Sequence, residues 1–199
     1  MSSKCYDYLA HIGEILEKVK TTQWDSIEKS AKKMAETIAA GHSVYIFGAS
    51  HAGILAQEMF YRTGGLAVVN AILPSEFMLN TRPVTQTSAM ERLEGYPTVI
   101  LNNSDVKKGD MLLLHSVSGR DTAAIEMAIK ASEMGVSTTV ITNMEYSTQV
   151  TSRHSSGKKL YEVCDVVIDN CGDFEDSSML LPGMKQKIAP TSSVVGCAI

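Results

Sequence analysis

The residue types best suited to chemistry gather where apolar runs give way to helical patterns. "LLLHSVSGRDTAAIEMAIKASEMG", residues 112–135, passes from an apolar run into Ser116-Val117-Ser118-Gly119-Arg120-Asp121-Thr122 and then into an amphipathic helix pattern. "YIFGASHAGILAQ", residues 45–57, has the same grammar: apolar run, Gly48, Ser50, Gly53, helix. Such a turn offers free backbone N–H groups, the positive end of a helix dipole and hydroxyl donors. Gly119 lets the backbone approach an anion closely. Those are the parts of a phosphate cradle. Either turn alone also reads as a capped helix start, with Ser118 or Asp121 as the cap; two of them in one sheet point to anion binding.

Other candidates are spread along the chain. Glu58 and Arg62 stand at i, i+4 and share a helix face, which by spacing alone is a surface ion pair. His51 lies in the first turn after the first strand, at the mouth of the expected site. It is an acid/base or hydroxyl-binding candidate, or a ring near a helix start with no chemical role. His115 ends the third strand and reads as a packed, hydrogen-bonded ring. His154, in "TSRHSSGKK", sits on a polar loop that either folds over the site or is plain surface. His11 and His42 are unremarkable. No HxH, HExxH or dense carboxylate cluster occurs, so neither a metal nor a cofactor is assigned. "SSGKK" is not a nucleotide P-loop: its first glycine is missing and no Ser or Thr follows the Lys.

The elements that must position these residues follow from periodicity. Residues 4–40 predict two helices, with Tyr8, Ile12, Ile15, Leu16 and Val19 on one face of the first and Trp24, Ile27, Ala31, Met34 and Ile38 on one face of the second. Gly41 is the expected stop. The second helix is expected to cover the domain, and the first to pack against another subunit. Beyond residue 41 the pattern alternates. Strands are predicted at 43–48, 66–72, 110–116, 136–142 and 165–170, and helices at 53–63, 87–95 and 121–135. Short apolar runs separated by helices mean parallel strands buried on both faces. Residues 143–160 are the least regular.

Bulk properties narrow the function. The chain has 199 residues, 44% hydrophobic and 20% charged, with a net charge of -4. That suits one well-buried domain. The absence of a basic block and an aromatic content of only 6% argue against nucleic acid. No apolar run approaches a membrane span and no signal peptide is evident, so no membrane association is expected and the location expected is the cytoplasm. Cys5, Cys164, Cys171 and Cys197 fit no metal spacing and read as free thiols.

"VYIFGASHAG…EMFYR" followed by "LLLHSVSGRDTAAIEMAIKA" resembles the sugar isomerase (SIS) domain family of phosphosugar-binding proteins, and within it the small bacterial phosphoheptose isomerase-like proteins. The resemblance covers about residues 40–195. It implies a three-layer α/β sandwich around a five-stranded parallel flavodoxin-like sheet, with residues 1–40 as N-terminal helices, 41–199 as the SIS domain, and a homodimer or homotetramer with sites near subunit contacts. It implies a sugar phosphate ligand, with Ser116, Ser118 and Gly119 on the phosphate and Ser50 nearby. Asp121 departs from the family pattern, which has a hydroxyl there. A carboxylate facing phosphate is repulsive, so Asp121 is expected to turn outward, with Thr122 or Arg120 as the replacement donor; a solvated surface role for Arg120 stands beside that.

The resemblance also implies that Glu58 is the proton-abstracting base and that Arg62 orients it or the substrate; from their positions, His51 or His154 is expected to assist the proton transfer in an isomerase. A last helix with Gln or Glu and His is expected in such isomerases. Here "APTSSVVGCAI" offers Thr191 and Ser192 instead, as helix caps or sugar contacts, and it stops inside an apolar run, so a shortened final helix is expected. Two functions remain: an aldose–ketose isomerase working through an enediol, and a non-catalytic phosphosugar sensor. A dinucleotide fold ranks below both, because the first turn is not GxGxxG and no acid ends the second strand.

Overall fold

The computed structural model describes residues 3–199. The five apolar runs form five parallel strands: β1 (Val44–Gly48), β2 (Val69–Ile72), β3 (Met111–His115), β4 (Ser137–Thr142) and β5 (Val166–Asp169). They are ordered β2-β1-β3-β4-β5. The helices are α1 (Lys4–Thr22), α2 (Trp24–Ala39), α3 (Gly53–Met59), α4 (Gln86–Met90), α5 (Tyr96–Asn102), α6 (Thr122–Glu133), α7 (Met144–Gln149) and α8 (Ser192–Ala198).

Both faces of the sheet are covered, which is why β1 and β3 are buried at every position. Tyr45, Phe47, Leu112, Leu114 and Val140 point to the side of α5 and α6, where Ala124, Ile125, Met127 and Ala128 meet them. Val44, Ile46, Met111, Leu113 and Ile168 point the other way, toward Leu55 and the partly buried stripe Ile27, Met34 and Ile38 of α2. The small alanines of α6 let its backbone lie close to the strands.

α2 covers the sheet as expected, but loosely: Trp24 is exposed, and an apolar groove of about 490 Å³ runs beside Met34, Ile38 and Leu113. Ile15 and Val19 of α1 find cover within the same chain, against Val195 of α8 and Cys171. Tyr6 and Leu9 of α1 stay exposed. Gly41 ends α2 with φ +78°, as its position predicts.

Three elements differ from expectation. The helix predicted to reach 63 stops at Met59, because Phe60 is extended and Tyr61 takes φ 42°; the strand predicted from 66 begins at Val69. The helix predicted over 87–95 becomes α4 and α5. Gly95 sits between them in the left-handed region, and Pro97 lies in the first turn of α5. Glu126 of α6 binds that junction, accepting from Gly95 N at 2.8 Å, Thr98 N at 3.2 Å and Thr98 Oγ1 at 2.5 Å. In 143–160, Asn143 accepts from Tyr146 N at 2.7 Å and starts α7. No helix among the described residues is long and apolar enough to cross a membrane.

Candidate functional site

The strand order reverses between β1 and β3, and the crevice beyond their carboxyl ends is where an open parallel sheet holds a ligand. A cavity of about 260 Å³ lies there, the scale of a small ligand rather than a dinucleotide. Both turns singled out from the sequence line it.

The turn after β1 depends on Gly48. A Cβ there would lie 2.4 Å from the carbonyl oxygen of Ala52, so only glycine lets the single helical turn Ser50–Ala52 fold back on the strand. Ser50 takes φ 57° and faces the cavity with His51. The turn after β3 is pinned from below. Gly119 has φ +58°, and a Cβ on it would lie 2.9 Å from Ser147 Oγ and 3.2 Å from Thr142 Oγ1. Its N–H is 3.3 Å from Ser116 Oγ, and its carbonyl accepts from Leu160 N at 2.8 Å. Gly119 therefore packs the loop onto β4 and α7, while Ser116, Ser118 and Arg120 line the cavity. Arg120 Nε is buried without a partner in the described protein.

Asp121 does not turn outward as expected: it lines the cavity, and Arg153 pairs with it there. Arg153 Nη1 meets Asp121 Oδ1 at 2.5 Å, and Ser118 Oγ donates to Asp121 Oδ2 at 3.2 Å. The carboxylate is neutralised where it stands. The segment carrying Arg153 is strapped to the start of α6: Arg153 N donates to Arg120 O at 2.9 Å, and Thr122 Oγ1 donates to Arg153 O at 3.0 Å. The Thr122 hydroxyl is thus used by the strap and does not line the cavity.

Three acids in the cavity, Asp176, Glu91 and Glu175, were not singled out from the sequence. Asp176 sits at φ 51° and accepts from Thr191 N at 3.0 Å, Ser192 N at 2.9 Å and Ser192 Oγ at 2.6 Å. Thr191 and Ser192 are accordingly the tied N-terminus of α8, outside the cavity lining. Asp176 also stands 4.0 Å from His51 Nε2. The second acid is Glu91, which follows α4; its carbonyl accepts from Ala123 N at 3.0 Å and holds α4 to the first turn of α6. Burial, and then the neighbouring Asp121 charge, push its carboxyl up to about 7, against the pull of Arg153 and Arg92. "AMERLEG" reads as helix alone; nothing local marks Glu91, because its environment is built by residues far along the chain.

The remaining candidates lie elsewhere. Glu58 and Arg62 pair with each other, and Glu58 lines the apolar groove beside α2. His154 is outside the cavity, with Nδ1 2.8 Å from Ser156 Oγ, next to the Ser155–Glu94 contact. Among the described residues, no group of three or more His, Cys, Asp or Glu is arranged to hold a metal.

This architecture agrees with known proteins the chain is similar to. The SIS domain family matches over residues 7–143, and the chain belongs to that family. It is 50% identical over 190 residues to UPF0309 protein OB3413 of Oceanobacillus iheyensis, covering 96% of this chain and 77% of that protein. A phosphoheptose isomerase from Francisella tularensis shares the fold with TM-score 0.60 at 17% identity, over 85% of each chain. The Vibrio vulnificus NanR protein, solved in complex with ManNAc-6P, has TM-score 0.52 at 15% identity, covering 99% of this chain and 58% of that one.

Proposed function

We propose that the protein binds a sugar phosphate in this cavity and interconverts its aldose and ketose forms. The phosphate sits at the opening of α6, under the hydroxyl of Ser116 and the Nε of Arg120, with Ser50 opposite. One arrangement supports the reading: a Ser- and Gly-bearing helix start and a partly buried carboxyl raised to about 7 share one small cavity. A carboxyl of that acidity both takes and returns a proton at neutral pH.

In the reaction, Glu91 removes the proton from the carbon beside the carbonyl. The carbonyl oxygen gains a proton from His51 or solvent, which gives an enediol. Glu91 then delivers its proton to the neighbouring carbon as the hydroxyl on the other carbon loses one, and no atoms are gained or lost. Glu58 is the base the resemblance implies. Facing the groove of its own chain, it reaches a cradle only if a second copy presents it, so a homodimer or homotetramer belongs to that version of the mechanism.

The second reading is a phosphosugar sensor without turnover. It is favoured by the position of Glu58 and His154 outside the cavity. A thermal-shift panel of hexose, heptose and amino-sugar phosphates tests binding, since a ligand of the folded state raises the melting temperature. Solvent deuterium incorporation at carbon 2 of any ester that binds tests turnover. Exchange that survives Glu58→Gln and is lost in Glu91→Gln, with binding retained, supports the mechanism within one chain; the reverse pattern supports Glu58. Binding without exchange leaves the sensor, and no binding across the panel removes both readings.

A further inference from the structure

His115 ends β3 on the floor of the cavity and is 1% exposed. Its ring is anchored through Nδ1, which lies 3.0 Å from the carbonyl oxygen of Ala52. A carbonyl only accepts, so Nδ1 carries the hydrogen. Burial drives the ring's pKa down to about 4, against the Ala52 hydrogen bond that raises it, and the ring is neutral at physiological pH. Nε2 is then a bare lone pair, and it has no hydrogen-bond partner in the described protein. Buried polar atoms are rarely left unpaired, and those that are call for a functional explanation.

The nature of that lone pair dictates what can meet it. It accepts and cannot donate, so a fully deprotonated oxyanion, which also only accepts, is repelled by it. The groups suited to an oxyanion come next in the chain: the hydroxyl of Ser116 and the unpartnered Nε of Arg120. The floor is therefore arranged in sequence order, an acceptor at 115 followed by donors at 116 and 120.

We propose that His115 is a specificity-determining residue: its Nε2 accepts a hydrogen bond from a sugar hydroxyl while the adjoining donors hold the phosphate, so that a hydroxylated phosphate ester is selected over a bare oxyanion. The proposal rests on the sugar-phosphate reading above and adds the side chain that recognises the sugar. Gly48, directly opposite His115 in the sheet register, keeps the arrangement in place by admitting the turn that brings the Ala52 carbonyl to the ring.

The test uses the wild-type protein with nitrogen-15-labelled histidines and two probes. One is sulfate, a tetrahedral dianion with no proton at neutral pH; the other is the ester giving the largest thermal shift in the hexose, heptose and amino-sugar phosphate panel. In the free protein the Nε2 signal is expected at the deshielded position of an unprotonated ring nitrogen. The ester moves it toward shielded values and sulfate leaves it in place. His115→Phe is expected to weaken the ester about 5- to 30-fold, the loss of one buried hydrogen bond, with the Kd for sulfate unchanged. His115→Gln, whose amide oxygen can accept near the Nε2 position, recovers part of that loss. The proposal is overturned if Nε2 is protonated in the free protein, if the ester binds without moving its signal, or if His115→Phe weakens sulfate and ester alike. Sulfate and every ester failing to bind the wild-type protein would be a different result, one that removes the phosphate cradle itself.

Discussion

Replacing Glu91 with Gln removes one titration from the cavity while keeping the shape of the side chain. Burial and Asp121 raise the Glu91 carboxyl from 4.5 to about 7. At about 1.4 kcal/mol per pH unit, that gap corresponds to a cost of about 3 kcal/mol for holding the ionised group in the fold. The sign follows from linkage. A carboxyl whose folded value is raised supports the fold fully below pH 4.5, and that support is lost as pH rises through about 7. The neutral amide of Glu91→Gln has no such loss. The variant and the wild type are therefore expected to melt together near pH 4 and to separate between about pH 5 and 7. The gap should then hold steady, with the variant more stable by up to about 3 kcal/mol. For a chain of this size that is about 6–12 °C in Tm. Thermal unfolding of both proteins in matched buffers from pH 4 to pH 9 measures the difference, and titrations common to both subtract out. A Tm gap that does not change with pH, or one in which the wild type is the more stable protein above pH 7, refutes the assignment of a desolvated carboxyl.

Two further substitutions probe what surrounds the cavity. Arg153→Met leaves the Asp121 carboxylate without its neutralising cation beside the phosphate site and is expected to weaken sugar phosphate binding about tenfold, near 1.4 kcal/mol. Adding Asp121→Asn to that variant should restore most of the affinity, so equal binding by the single and double variants in calorimetry would rule out the compensation. Glu126→Ala strips the acceptor from Gly95 N, Thr98 N and Thr98 Oγ1 and should cost about 2–4 kcal/mol of stability. Urea unfolding would show it as a lowered midpoint with an unchanged slope, and an unchanged midpoint would mean the junction does not need its buried carboxylate.

How legible each part was in the sequence depended on how local its cause is. Strands buried on both faces need continuous apolar runs, so "VYIFG" and "MLLLH" were readable from composition and length. The split into α4 and α5 has local signals in Gly95 and Pro97, but the carboxylate of Glu126 that ties the junction comes from about thirty residues downstream. Gly119 was correctly marked as special, but the reason is a left-handed backbone crowded by Ser147 and Thr142, and those contacts come from β4 and α7. The Asp121 puzzle could be posed from the sequence and not solved there, because Arg153 reaches it from a loop that reads only as polar.

Alone, the sequence determined the alternation of strands and helices, the two Ser- and Gly-bearing turns and the family resemblance. All of these rest on residues within a few positions of one another. Only the tertiary structure decided which carboxyl enters the cavity, which hydroxyls are used by the strap, and that a histidine reading as packed keeps a free lone pair. Those outcomes depend on desolvation and on partners tens of residues away, and burial is a property of the assembled layers that no short stretch of chain carries.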